Sequence, residues 1–87
     1  LNLAGTKISP AHSASLKRIK NLRVLILYRC ELDDDVIKEV IDLTQLTVLN
    51  LARNTDLTDN SVLRLKRLSN LQHLNLSDCS SISSRAI

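Results

Sequence analysis

Leucines return along the chain at a fixed interval and in a fixed arrangement. From Leu46 to Leu57 the order is Leu-x-x-Leu-x-Leu-x-x-Asn, with a further leucine three residues on. Leu46, Leu49, Leu51 and Asn54 have counterparts upstream in Leu22, Leu25, Leu27 and Cys30, and downstream in Leu71, Leu74, Leu76 and Cys79. A copy cut by the start of the chain holds Leu1, Leu3 and Thr6. Leu1, Leu25, Leu49 and Leu74 stand 24, 24 and 25 residues apart. A period in the twenties marks stacked repeats, each a unit that buries its apolar side only against its neighbours.

Side chains alternate faces along a strand, so both leucines of Leu-x-Leu point the same way. Stacking the copies puts Leu1, Leu25, Leu49 and Leu74 in one inward row, and Leu3, Leu27, Leu51 and Leu76 in the next. Thr6, Cys30, Asn54 and Cys79 fall at the bend that follows. There a small or polar side chain can serve a backbone group that would otherwise lack a partner.

After each bend the chain must return to start the next strand. The first return segment spans about residues 9–21. Ser9 followed by Pro10 supplies a hydroxyl cap and then a proline at the first helical position. Asp33, Thr58 and Ser83 occupy the matching cap positions, and Asp34, Asp35 and Asp59 follow, where a helix N-terminus favours negative charge. Inward helical positions are Ser13, Leu16 and Ile19; then Ile37, Val40 and Leu43; then Val62, Leu65 and Leu68. The predicted fold is α/β, a repeat solenoid with a curved parallel β-sheet on the concave face and helices on the convex face. Predicted boundaries are a partial repeat at 1–21, repeats at 22–45 and 46–70, and a partial repeat at 71–87. The start in mid-repeat, and the alignment of Ile87 with Val62 inside a return segment, imply an excerpt of a longer array. A solenoid otherwise needs end repeats with a polar outer face.

Asn54-Thr55-Asp56-Leu57-Thr58-Asp59 and Cys79-Ser80-Ser81-Ile82-Ser83-Ser84 resemble the Cys-x-x-Ile-Thr-Asp turn of cysteine-containing leucine-rich repeats. Asn54 and Thr6 stand where that family has cysteine. The resemblance covers the whole chain and implies a protein-binding scaffold with no chemistry of its own. The family includes substrate-receptor arms of F-box ubiquitin ligases, and similar repeats occur in bacterial effectors and in protozoan regulatory and surface proteins.

Such repeats bind partners on the concave sheet, whose outward rows follow from the register. One row holds Val24, Val48 and His73; the next holds Asn2, Ile26, Asn50 and Asn75. A third holds Ala4, Tyr28, Ala52 and Ser77, and the last Gly5, Arg29, Arg53 and Asp78. Val24, Ile26, Val48 and Tyr28 form a predicted apolar patch edged by Arg29 and Arg53. Strand propensity alone would place β-branched residues there, but it does not ask for Tyr28 and two arginines, types enriched in binding hot spots. The candidate partner-binding residues are Val24, Ile26, Tyr28, Arg29, Val48, Asn50, Arg53, His73, Asn75 and Asp78.

Composition narrows the alternatives. The chain of 87 residues is 44% hydrophobic, yet Tyr28 is its one aromatic residue, and Phe, Trp and Met are absent. Stacked aliphatic ladders, rather than aromatic anchors, must therefore build the core. The net charge is +3. Lys17, Arg18, Lys20 and Arg23 cluster, as do Arg64, Lys66 and Arg67, with Glu31, Asp33, Asp34, Asp35, Glu39 and Asp42 between them. Arg18, Asp42 and Arg67 share one helical position, and Glu39 aligns with Arg64, which predicts pairing between stacked repeats. A nucleic-acid surface would want aromatic side chains on which bases can stack, and Tyr28 alone does not make such a platform. A protein partner of unspecified identity is the reading carried forward, with an extracellular or surface receptor array as the alternative.

Cys30 and Cys79 occupy equivalent bends two repeats apart, about 10 Å by strand spacing. That is beyond disulfide reach and beyond sharing a metal, so two free thiols point to a reducing, intracellular compartment. Asn75-Leu76-Ser77 matches the glycosylation triplet, which also arises often by chance. The longest apolar run, Val24 to Leu27, is far too short to span a bilayer. No phosphate-binding glycine loop, zinc-protease motif or nucleophile elbow occurs, so no catalytic, cofactor or metal residue is assigned. His12 reads as a helix-surface residue and His73 as part of the sheet face. The Asp33-Asp34-Asp35 run is explained by its place at a helix start.

Overall fold

The computed structural model describes residues 1–83. Three helices alternate with three strands: α1 (Pro10–Leu16), β1 (Val24–Ile26), α2 (Asp34–Val40), β2 (Val48–Asn50), α3 (Asp59–Leu65) and β3 (His73–Asn75). The strands form one parallel sheet in the order β1-β2-β3. Val48 pairs with Val24 on one side and His73 on the other, Leu49 with Leu25 and Leu74, and Asn50 with Ile26 and Asn75. Asn2 joins the same sheet as an isolated bridge to Ile26. The register is the one the leucine spacing predicts. One hydrogen bond recurs from copy to copy: Leu3, Leu27 and Leu51 donate their N–H groups to the carbonyls of Ile26, Asn50 and Asn75.

Helices begin where the caps were expected. The Ser9 hydroxyl accepts from the His12 N–H, and the His12 ring returns the contact to the Ser9 N–H, closing a capping box before Pro10. Asp33 caps α2 by accepting from Asp35 and Val36, and Thr58 caps α3 by accepting from Asn60. Each helix has 7 residues. Bonds to the residue three back then tighten its exit, as in Lys17 to Ala14, Leu43 to Val40 and Leu68 to Leu65. Such short helices are marginal alone, so packing must hold them. Within each layer every element packs on its neighbour: α1 on α2, α2 on α3, β1 on β2 and β2 on β3.

The core lies between the two layers. Leu25, Leu27, Leu46, Leu49, Leu51, Leu57, Ile37 and Val40 are fully buried. Neither outer row is sealed, since Leu1 is 46% exposed and Leu74 39%. Each has a neighbouring repeat on one side only.

Three expectations need correction. Ile19 was expected inside with Leu43 and Leu68 but is 43% exposed. Leu43 follows α2, which packs between α1 and α3, whereas Ile19 follows α1, which packs on α2 alone. Ala52 was expected to face outward but is 3% exposed, its methyl being a small side chain in the row that holds Tyr28. On the helical face, Lys17 rather than Arg18 makes the ion pairs, reaching both Glu39 and Asp42. Those hydrogen bonds, Glu39 first, push the Lys17 ammonium above its ordinary range. The alignment of Ile87 with Val62, and any helix after Ser83, lie outside the described residues.

Candidate functional site

Residues that alternate with the buried leucines cover the other side of the sheet. Val24 is 42% exposed, and Ile26, Tyr28, Val48 and Asn50 are half-buried. Arg29, Arg53, His73, Asn75 and Asp78 are exposed. The register sets Val24, Val48 and His73 side by side, with Ile26, Asn50 and Asn75 in the adjacent row. A shallow depression of about 440 Å³ runs over these rows, lined by Ile26, Val48, Asn50, Gln72, His73 and Asn75 among others. Six of the ten predicted positions alternate along the strands, and Tyr28, Arg29, Arg53 and Asp78 follow in the turns at the strands' C-terminal ends.

The asparagines have a duty that the sequence reading missed. Oδ1 of Asn2, Asn50 and Asn75 accepts the N–H two residues on, from Ala4, Ala52 and Ser77, at 2.9, 3.0 and 2.9 Å. Asparagine favours such local turns. In Asn50 and Asn75 the side-chain oxygen is thus engaged in ending the strand.

Beside the patch the backbone turns left-handed at one position in every copy. Gly5 has φ 78°, Arg29 54°, Arg53 60° and Asp78 59°. Glycine adopts this conformation freely, whereas a residue with a Cβ is strained by about 1 kcal/mol or more. Arg53 is nonetheless well held. Its guanidinium carbon lies 5.8 Å from the centroid of the Tyr28 ring, and Nε is 3.5 Å from Asp78 Oδ2. An exposed cation–π contact contributes ~0.5–1 kcal/mol and an exposed ion pair ~0.2–1 kcal/mol, which offset part of the strain. Arg29 has no ion-pair partner among the described residues.

Beneath this rim the bends are tied together by buried polar groups. Asn54 Nδ2 donates to the carbonyls of Leu51 and, one copy back, Leu27, while Oδ1 accepts from the N–H groups of Cys30 and Leu32. Cys30 Sγ donates to the Leu3 carbonyl and Cys79 Sγ to that of Leu51, each at 3.1 Å. Both thiols are free and buried. On the helix side, the Asp34 carboxylate accepts from the N–H and hydroxyl of Thr58 and from the Ser61 hydroxyl, and Asp59 does the same for Ser83. Burial opposes ionisation of Asp34, yet the Ser61 and Thr58 hydrogen bonds and the charge of Arg64 together hold its carboxyl below the ordinary range. Ser83, chiefly through its hydroxyl, lowers Asp59 likewise. The acids expected only to suit a helix N-terminus thus also clamp one repeat to the next.

His12 is occupied by its capping box and stands apart from the sheet face. Among the described residues no group of three His, Cys, Asp or Glu side chains is arranged to hold a metal ion. No described helix is long and apolar enough to cross a membrane.

Residues 70–86 match the family model described as Leucine Rich Repeat. This stretch contains β3 and the Cys79 bend, and the paired register carries its leucine positions onto Leu49 and Leu25. Repeats of this class generally mediate contact between proteins, and the match points to an interaction module. No curated protein matches the chain.

Proposed function

We propose that the chain is a stretch of leucine-rich-repeat solenoid whose sheet face, concave in such an array, binds a protein partner. One observation carries this reading. Exposed or half-exposed Val24, Ile26, Val48 and Tyr28 adjoin two arginines kept at left-handed backbone positions. Apolar surface framed by polar groups suits an interface, and a retained local strain suits a functional position better than a purely structural one. Packing of each element on its neighbour in the same layer supports the solenoid.

The finer reading is an intracellular recognition arm of the cysteine-containing, F-box-associated kind, selecting substrates for a ubiquitin ligase. Its support is the pair of free, buried thiols at equivalent bends, each bonded to a carbonyl of the preceding copy. The extracellular alternative has in its favour the exposed Asn75 of the glycosylation triplet. A glycan there would stand on the candidate face itself.

The test is capture from cell extract on the wild-type chain and on Tyr28→Ala side by side. Proteins held by the first and lost from the second support the sheet face, and ubiquitin-ligase subunits co-purifying with the parent protein support the recognition arm. Identical captures on both chains reject the face.

A further inference from the structure

We infer that Arg29 receives a carboxylate of the bound partner segment, set within two residues of an aliphatic side chain that lies on Ile26 and Val48. The inference rests on the reading that the sheet face binds protein, and it adds the chemistry of what is bound.

The position of Arg29 gives its side chain no structural task. At the equivalent Gly5 a Cβ would meet nothing within 4 Å, and Arg29 itself is exposed. The backbone there is left-handed, φ 54° at Arg29 against 78° at Gly5, which glycine would satisfy without strain. The fold therefore requires of this residue nothing that glycine lacks.

Its electrostatic state differs from that of its neighbour in the same row. Arg53 is engaged by the Tyr28 ring and by Asp78. Arg29 shares a surface hollow with Gly5 and Glu31, but no ion pair joins it to Glu31 or to any other described carboxylate. A guanidinium presents a planar fork that fits a carboxylate through two parallel hydrogen bonds. Arg29 follows Tyr28 in sequence, and the row that holds Tyr28 separates it from the aliphatic surface of Ile26 and Val48. An extended peptide crossing the sheet can thus place an apolar side chain on that surface and an acid on Arg29.

The test is selection of a phage-displayed heptapeptide library on the immobilised 87-residue chain. Selected peptides are expected to carry Asp or Glu within two positions of Val, Ile or Leu. They should bind Arg29→Gly at least tenfold more weakly, although thermal unfolding of that variant occurs no lower than in wild type. Peptides that lose binding to Tyr28→Ala but bind Arg29→Gly as well as wild type would overturn the inference and keep the face. Peptides that bind both variants as tightly as wild type, or a selection that enriches nothing, would overturn the face as well.

Discussion

The side-chain nitrogen of Asn54 donates to the carbonyl oxygen of Leu27, one copy earlier, across 2.9 Å. The same amide serves Cys30 and Leu32 through its oxygen, so one side chain satisfies the bend of two successive repeats. Asn54→Ala would leave three buried backbone groups of the preceding copy without partners, each loss worth ~1–3 kcal/mol. The variant is predicted to lose at least ~3 kcal/mol, a large share of a small domain's stability. Asn54→Cys should fall between wild type and Asn54→Ala, because a thiol keeps the carbonyl contact seen at Cys30 and Cys79 but cannot replace the two acceptor bonds. Urea unfolding of the three proteins measures the order.

The Asp34 clamp gives the fold an acid limit. Its carboxyl is lowered in the folded state, so the unfolded chain binds the proton more readily. The contribution is full above the unfolded-state value of about 4, and it is lost as pH falls through the lower folded value. Asp59 acts in the same direction through Ser83. Stability should therefore drop on acidification below about pH 4, and Asp34→Asn should flatten that dependence while lowering stability at neutral pH. Thermal unfolding at several pH values for both chains checks this.

Sheet register is testable through two adjacent residues. Leu49 is 1% exposed, whereas Asn50 lies on the opposite side and uses its oxygen as an acceptor for Ala52. Leu49→Asp buries an unpaired charge and should unfold the chain. Asn50→Asp keeps the acceptor and should change stability by less than ~0.5 kcal/mol. Equal damage, read by circular dichroism, would show the register off by one.

Backbone strain at the rim separates stability from binding. Arg29→Gly removes a left-handed residue that carries a Cβ, and it should raise unfolding free energy by up to ~1 kcal/mol, less the greater chain entropy of glycine. Arg53→Gly should gain less, because it also forfeits the Tyr28 and Asp78 contacts. Chemical denaturation of both variants measures the difference.

Strand register, helix starts and the sheet rows were legible because each repeats once per copy: Leu25 above Leu49, and Ser9, Asp33 and Thr58 at caps. The clamp is hidden in the sequence because the place of Asp34 at its own helix start already accounts for an acid there. Its signal is the 24-residue step from Asp34 to Thr58 and from Asp59 to Ser83, with Pro10 in the matching place of the first copy. Ile19 misled because a periodic pattern does not say which copy lacks a neighbour; Leu74 takes its expected place beside Leu49 but is 39% exposed for the same reason. The left-handed turn at Arg29 and Arg53 was hinted at by Gly5 in the same row, but a residue type that tolerates any φ says little about its counterparts. Ala52 shows the same limit, since the pattern gives the side of the sheet and not the size of the adjoining side chains.

The binding face is best tested by titrating a captured partner into wild type and Tyr28→Ala, with thermal unfolding measured alongside. Tyr28→Ala should weaken binding at least tenfold, about 1.4 kcal/mol, while its Tm stays within ~4 °C. Equal affinities for the two chains, at unchanged stability, would contradict the assignment and move the interface off this side of the sheet.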